Sequence, residues 1–147
     1  MLKNLSVLVL VVFAGALNAQ ALWSDISEQS IALKGERRVV PQTYRTVRLD
    51  LSVLQPTLAT APERFTPAAV GKNSQPVITL PMPGGGTASF RLTESPVMAP
   101  ELQAQFPEIR TYTGWGVEDP TALLKCDLTP HGFHAMVISA THSTVFV

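Results

Sequence analysis

The sequence predicts a mainly β fold, an antiparallel sheet or a sandwich-like domain with one or two short helices. Three observations lead to this prediction. Apolar and polar residues alternate in several short segments, which is the pattern of half-buried strands. Turns containing glycine or proline separate these segments at short intervals, as in antiparallel hairpins. The 147 residues are 46% hydrophobic and 15% charged, which is typical of one globular domain.

The first 21 residues have the pattern of a secretory signal peptide. Lys3 supplies a positive charge, residues 5–17 are an apolar run, and Ala19 and Ala21 are small residues that a signal peptidase accepts. The run of about 13 residues is shorter than the roughly 20 that a membrane-spanning helix needs. We therefore expect a secreted or periplasmic protein, without a membrane anchor after signal removal, whose single domain covers residues 22–147.

Charge and cysteine content restrict the function further. Eleven basic residues balance eleven acidic ones, so no long-range field attracts nucleic acid, and no nucleic-acid partner is expected. One cysteine cannot form an intramolecular disulfide, so the core must be stable without one. Arg37 and Arg38 could be a dibasic processing site, but we interpret them as the solvated end of an extended segment.

The first part of the mature chain is expected to contain one strand and one loop. Residues 23–41 form an extended lead-in with no firm secondary structure. Val47, Leu49 and Leu51 then alternate with polar neighbours, which predicts a strand. Residues 61–76 are rich in Pro, Ala, Gly and polar side chains, which predicts a surface loop.

A short helix is predicted where this strand ends. Leu51, Leu54 and Leu58 lie three and four residues apart, which is helical spacing. The helix must end before Pro62, and Pro56 is tolerated only in a first turn.

A hairpin is predicted around the three glycines at residues 84–86. The flanking segments "PVITLPM" and "TASFRLTES" are strand-like, and Ala88, Phe90 and Leu92 share one face of the second. Glycine permits the positive φ values of tight hairpins. A phosphate-binding loop is disfavoured because no Lys-Ser/Thr pair and no helix follow.

The C-terminal part is predicted to be one short helix and a series of antiparallel strands. Pro100 suits a first helical turn and Pro107 stops the helix. The strand "EIRTYTG" is closed by residues 114–116, and "TALLKCDL", "FHAMVIS" and "STVFV" follow, with a turn at residues 129–132. Because the chain ends within the last of these strands, the domain could be truncated at its C-terminus, as a fragment of a longer protein.

The segment "LLKCDLTPHGFHAMVIS" contains Cys126 and two of the three histidines. With Pro130 and His131 at the centre of a four-residue turn, Cys126 faces Ala135 and Asp127 faces His134. Alternating side chains then place the cysteine on an apolar face and His134 on the other, whereas a one-residue slip would bring the two together. We interpret Cys126 as a small buried core residue.

No catalytic, cofactor-binding or metal-binding residue is predicted. His131 lies at the exposed turn and His142 in an unplaced segment, so neither completes the convergent set that zinc requires. The serines have no G-x-S-x-G context, which gives no support to a serine hydrolase. These serines are Ser95, Ser139 and Ser143.

Tyr112 and Trp115 flank Gly114, and two readings apply to them. They could form a sugar-stacking surface, but aromatic side chains of this bulk near a turn more often cover the core, and we expect that here.

Several short elements follow one another in order: Phe90-Arg91-Leu92 and Ser95-Pro96, a segment centred on Pro100, Tyr112-Thr113-Gly114, Asp119-Pro120-Thr121 before an apolar strand, and Gly132-Phe133 before another strand. Together they resemble the N-terminal region of secreted bacterial metallopeptidase precursors of the reprolysin (adamalysin) type. The resemblance covers about residues 35–147. It implies a propeptide-like module that masks a zinc peptidase domain, in cis or in trans, and assists its folding. Zinc is implied only for that absent domain, because this chain contains no H-E-x-x-H.

The resemblance also implies a role for the cysteine, since some such propeptides inhibit through a thiolate that occupies the zinc. Cys126 would then be an inhibitory zinc ligand, although no glycine follows it and the predicted register points it into the core. The alternative function is a stand-alone exported β-rich module that binds a cell-surface or extracellular polymer through loops at one end of its sheet.

Overall fold

The computed structural model describes residues 21–32 and 39–147. Most of the predicted signal peptide and the Arg37-Arg38 pair lie outside these residues. The predicted fold class is confirmed, because the described chain is mainly β with antiparallel sheets and only two helices. The strands are β1 (Trp23–Asp25), β2 (Val47–Leu49), β3 (Val77–Pro81), β4 (Thr87–Glu94), β5 (Arg110–Gly116), β6 (Leu123–Thr129), β7 (Gly132–Ile138) and β8 (Val145–Phe146). The helices are α1 (Leu51–Ala59) and α2 (Pro100–Gln103).

Strands β3 to β8 form one curled antiparallel sheet in which every strand pairs with its neighbour in sequence. Such a meander needs only short turns between neighbours. The turn before β4 confirms the predicted glycine hairpin, since Gly85 and Gly86 have φ values of 100° and 70°. The predicted loop at residues 61–76 is a loop with two short 3-10 turns, at Pro67–Ala69 and Lys72–Ser74.

Two corrections concern the N-terminal part. The lead-in to which no firm structure was assigned contains β1, which pairs with β2 in a separate two-stranded sheet. The β2 strand ends at Leu49, and Leu51 instead begins α1, because the Asp50 side chain accepts a 2.9 Å hydrogen bond from the backbone N–H of Ser52 and caps the helix.

Helix α1 contains Pro56 beyond its first turn, contrary to the expectation. Proline there removes one helical hydrogen bond, at a cost of about 3 kcal/mol in an isolated helix. The flanking Leu54 and Leu58 are each only 1% exposed. Burying two leucines contributes about 3 to 6 kcal/mol, which offsets that cost.

The core lies on one side of the six-stranded sheet, which we call the inner face. Ladder register and burial agree on its members: Ile78, Leu80, Phe90, Leu92, Tyr112, Leu124, Cys126, Ala135, Val137 and Val145. Helix α1 contributes its two buried leucines, and Leu22, Trp23 and Leu49 pack against the same core. The N-terminal elements therefore cover the inner face, and the core needs no disulfide.

The two glycines beside Trp115 do not close β5, as had been predicted, but lie within it. A Cβ on Gly114 would lie 2.7 Å from Leu92 Cδ2 and 3.1 Å from Leu124 Cβ. A Cβ on Gly116 would lie 2.1 Å from the Asp119 carbonyl oxygen. These positions therefore lack side chains because neighbours approach them closely, and neither has the positive φ that a turn would require.

Candidate binding surface

The predicted register of the β6–β7 hairpin is confirmed. Cys126 pairs with Ala135 and Asp127 pairs with His134, around a turn formed by Pro130 and His131. The cysteine and His134 therefore lie on opposite faces of the sheet, as predicted.

Cys126 is a core residue. Its side chain is only 5% exposed, and burial, with a smaller contribution from the nearby Asp127 charge, raises the pKa of its thiol to about 12. The thiolate is the form that binds zinc, and it requires an accessible sulfur. In this conformation Cys126 has neither an accessible sulfur nor a thiolate. A role as inhibitory zinc ligand would therefore require β6 to leave the core.

The acidic and imidazole side chains do not gather into a metal centre in the described parts of the chain. There no group of three or more His, Cys, Asp and Glu residues is placed to hold an ion. His134 is the cross-strand partner of Asp127, with 2.9 Å between Nδ1 and Oδ1, as predicted. His142 Nδ1 lies 2.9 Å from the Ser143 carbonyl oxygen.

Neither Ser95 nor Ser139 is placed as a nucleophile. Ser139 Oγ donates to Asp119 Oδ2 at 2.6 Å, and the buried Ser95 Oγ has no hydrogen-bond partner. A nucleophilic serine needs a base within hydrogen-bond reach, and neither hydroxyl has a histidine there.

Asp119 fixes the two loops at one end of the sheet. Its carboxylate accepts hydrogen bonds from the hydroxyls of Ser139, Thr121 and Thr141 and from the Thr121 backbone N–H, at 2.6 to 2.9 Å. These bonds, led by the one from Ser139, hold the pKa of Asp119 well below its usual range. The carboxylate therefore ties the β5–β6 loop to the β7–β8 loop.

The two aromatic residues of β5 differ in burial. Tyr112 is 2% exposed on the inner face, where burial raises the pKa of its hydroxyl, and its prediction as a core residue is confirmed. Trp115 is 51% exposed on the opposite face, so the prediction that it covers the core is wrong. A spacing of three residues puts the two rings on opposite faces of one strand, which excludes a joint stacking surface.

The face that carries Trp115, here called the outer face, has a continuous row of side chains across five strands. Cross-strand partners share a face, so the ladder aligns one residue from each of these strands. We call the five aligned residues the apolar row, although one of them is an arginine. The row consists of Val77, Arg91, Trp115, Leu123 and Ile138. Val77, Trp115 and Ile138 are exposed large hydrophobic residues.

More polar rows lie beside the apolar row. The next row is Thr93, Thr113, Lys125, Met136 and Phe146, and the one after it is Thr111, Asp127 and His134. Lys125 Nζ donates to Thr113 Oγ1 at 2.8 Å. The outer face therefore changes from apolar to polar along the strands.

A cleft of about 710 Å³ lies over the polar end of the outer face. It is lined by Lys125, His134 and Met136 from the strands and by Phe65 and Val97 from the loops. Phe65 has a φ of 69°, unusual for a bulky residue, and is exposed with the Arg64 guanidinium 4.5 Å from its ring centroid. The volume is in the range of small-molecule and peptide sites.

The sequence does not predict the outer face, because the predicted strand ends at Gly114 whereas β5 continues to Gly116. The parity of Tyr112 and Trp115 could have revealed it, since residues an odd number of positions apart cannot share a face of one strand.

No described helix is long and apolar enough to cross a membrane.

No protein-family model, curated protein or solved structure matches this chain. The resemblance to metallopeptidase precursors therefore stays a prediction, and the function is argued from the geometry of the described residues.

Proposed function

We propose that this chain is a non-catalytic, propeptide-like module that masks a secreted zinc metallopeptidase domain by covering it with the outer face of its sheet. The observation that carries the proposal is the apolar row, which crosses five strands and includes a half-exposed tryptophan. Its exposed members are Val77, Trp115 and Ile138, and large apolar side chains exposed together on one sheet face mark a surface that contacts another molecule.

The composition of the outer face supports a protein partner. Protein interfaces combine an apolar centre with a polar rim, and tryptophan and arginine dominate their binding energy. Trp115 lies in the middle of the apolar row with Arg91 directly beside it across the β4–β5 ladder. The row of Thr111, Asp127 and His134 supplies polar groups at the rim.

The proposed masking is steric and does not use the cysteine. The buried, protonated thiol of Cys126 stays in the core while the outer face covers the peptidase. Zinc belongs to the partner domain in this proposal, and the chain supplies no ligand to it.

A second candidate function, binding to an extracellular polysaccharide, is favoured by Trp115 alone. An exposed indole on a sheet face can stack on a sugar ring, as aromatic side chains do with flat apolar ligands. Trp115 acts there without Tyr112, which is buried on the inner face.

The test is inhibition of a reprolysin-type zinc peptidase domain that has been freed of its own propeptide. Residues 22–147 are titrated against it, together with Trp115→Ala, Cys126→Ala and a matched control, Phe106→Ala. Phe106 is an exposed aromatic residue outside the strands. We expect inhibition by the wild type, Cys126→Ala and Phe106→Ala, and at least about 30-fold weaker inhibition by Trp115→Ala, the size of an interface hot spot.

Absence of inhibition by the wild-type domain would contradict the masking proposal. Loss of inhibition in Cys126→Ala, with Trp115→Ala unaffected, would contradict its steric form. Binding to insoluble chitin or cellulose that is lost in Trp115→Ala, without any inhibition, would establish the second candidate instead.

A further inference from the structure

One edge of β8 is not covered by any strand that the structure describes. Ala135 and Val147 exchange two backbone hydrogen bonds of 2.8 Å, which makes them a hydrogen-bonded pair of the antiparallel ladder. The adjacent pair, Met136 and Phe146, is then a non-hydrogen-bonded pair, whose N–H and C=O groups point away from each other's strand. The N–H and C=O of Phe146 therefore point outward, on the side of β8 where no other strand of residues 21–32 and 39–147 pairs with it.

Grooves flank this edge on both faces of the sheet. Phe146, which is 74% exposed, and Val147 line the outer-face cleft. A second cavity of about 800 Å³ lies between residues 144–147 and residues 43–47, and Trp23 and Phe133 line it from the inner side. A strand added beside β8 would direct alternate side chains into the two grooves, because successive side chains point to opposite faces.

The chemistry of the two grooves differs. Apolar side chains such as Ile31 and Val47 line the inner groove, where Arg45 is paired with Asp25. The outer cleft is more polar, because Lys125 and His134 line it. An added strand therefore suits apolar side chains toward the inner groove and polar ones toward the outer cleft.

The opposite edge of the sheet is protected. Strand β3 follows Pro76, ends at Pro81 and is followed by Pro83, and proline cannot donate a ladder hydrogen bond. The Thr79 carbonyl in the middle of β3 already accepts a 2.6 Å hydrogen bond from Trp23 Nε1. Proteins commonly protect edge strands in such ways, whereas β8 has no proline or charged residue.

We propose that β8 is a strand-addition site, which takes an extended segment of a partner polypeptide with β-branched or aromatic residues at alternate positions. Backbone hydrogen bonds to Phe146 supply affinity, and the two flanking grooves select the side chains, as in other cases of strand addition. The inference rests on the proposed role as a binding module, but it uses the sheet edge and not the apolar row.

The test measures binding of a fluorescein-labelled peptide of alternating threonine and valine, capped at both ends, by fluorescence anisotropy. The matched control peptide carries N-methyl groups at alternate residues, which removes the donors of one edge and leaves the side chains unchanged. We expect saturable binding that N-methylation weakens about three- to tenfold, the effect of losing the backbone hydrogen bond to the Phe146 carbonyl.

Two protein variants separate the backbone from the phenyl ring. Phe146→Pro removes the outward N–H and the ring, whereas Phe146→Ala removes the ring only. Because the Phe146 N–H points away from β7, neither variant breaks a ladder bond, and equal thermal melting curves confirm that both fold. We expect Phe146→Pro to bind the unmethylated peptide at least about fivefold more weakly than Phe146→Ala does.

Equal affinity for the methylated and unmethylated peptides, or equal affinity of the two variants, would overturn the proposal. A concentration-dependent dimer that Phe146→Pro abolishes would also overturn it, because a second copy would then fill the edge. Peptide binding by Trp115→Ala should be unchanged. Loss of peptidase inhibition with intact peptide binding would therefore contradict only the masking proposal, and the converse result would contradict only this one.

Discussion

Cys126 is expected to resist thiol reagents in the folded protein and to react freely once the protein is unfolded. With a thiol pKa of about 12, roughly one molecule in ten thousand carries the thiolate at pH 8, against about a quarter for free cysteine. The difference in thiolate is about 2,000-fold. The greater nucleophilicity of a more basic thiolate recovers about 25- to 60-fold, which leaves at least about a 30-fold slower reaction. The 5% exposure of the side chain slows it further.

The assay follows labelling by 5,5′-dithiobis(2-nitrobenzoate) at pH 8, with and without 6 M guanidinium chloride. The control is Asn73→Cys in a Cys126→Ala background, which puts the single thiol on an exposed loop residue. The control should react at the rate of free cysteine in both conditions, and the wild type only in denaturant. A folded wild type that reacts within about threefold of the control would refute the buried reading of Cys126 and restore its candidacy as a zinc ligand.

Three further predictions concern stability. Leu54→Ala should lower the free energy of unfolding by about 2 to 5 kcal/mol in urea titrations, because Leu54 is 1% exposed between α1 and the sheet, and a loss under 1 kcal/mol would contradict that packing. Gly114→Ala should cost about 1 to 3 kcal/mol through the 2.7 Å contact with Leu92, while Gly84→Ala, whose Cβ meets nothing within 4 Å, serves as the neutral control. Asp119→Asn should lower the melting temperature at pH 7. Hydrogen bonds depress the pKa of Asp119 in the folded state, so its contribution to stability is present above the unfolded pKa near 4 and is lost as the pH falls. The difference in melting temperature between Asp119→Asn and the wild type should therefore shrink below pH 4. A constant difference would contradict the reasoning.

The hairpin that contains Cys126 could be predicted residue by residue because its turn is chemically specific. Pro130 suits the second position of a four-residue turn, and Gly132 adopts a φ of 128° at the fourth. Once the turn is fixed, period-two alternation determines which side chains share a face. The burial of Cys126 and the contact between Asp127 and His134 both follow from this one assignment.

Other parts could not be predicted because they depend on tertiary contacts. Strand β1 has three residues, and its partner β2 lies more than twenty residues away in sequence, so no local pattern reveals it. Pro56 is tolerated because of the leucines that α1 buries against the sheet. The glycines at 114 and 116 look like turn residues until the positions of Leu92 and the Asp119 carbonyl are known. The apolar row required the correct end of β5.

Trp23 contacts two distant strands of the curled sheet, since its Nε1 donates to Thr79 on β3 and its ring meets that of Phe133 on β7 edge to face, with centroids 6.3 Å apart. The strands from β3 to β7 can form as successive local hairpins, whereas Trp23 must close loops of 56 residues and more. We therefore expect the first strand of the domain to dock last, after the meander has formed. The chain's two tryptophans can distinguish these two steps. The fluorescence of Trp115 reports formation of the meander, and that of Trp23 reports docking of β1 onto it.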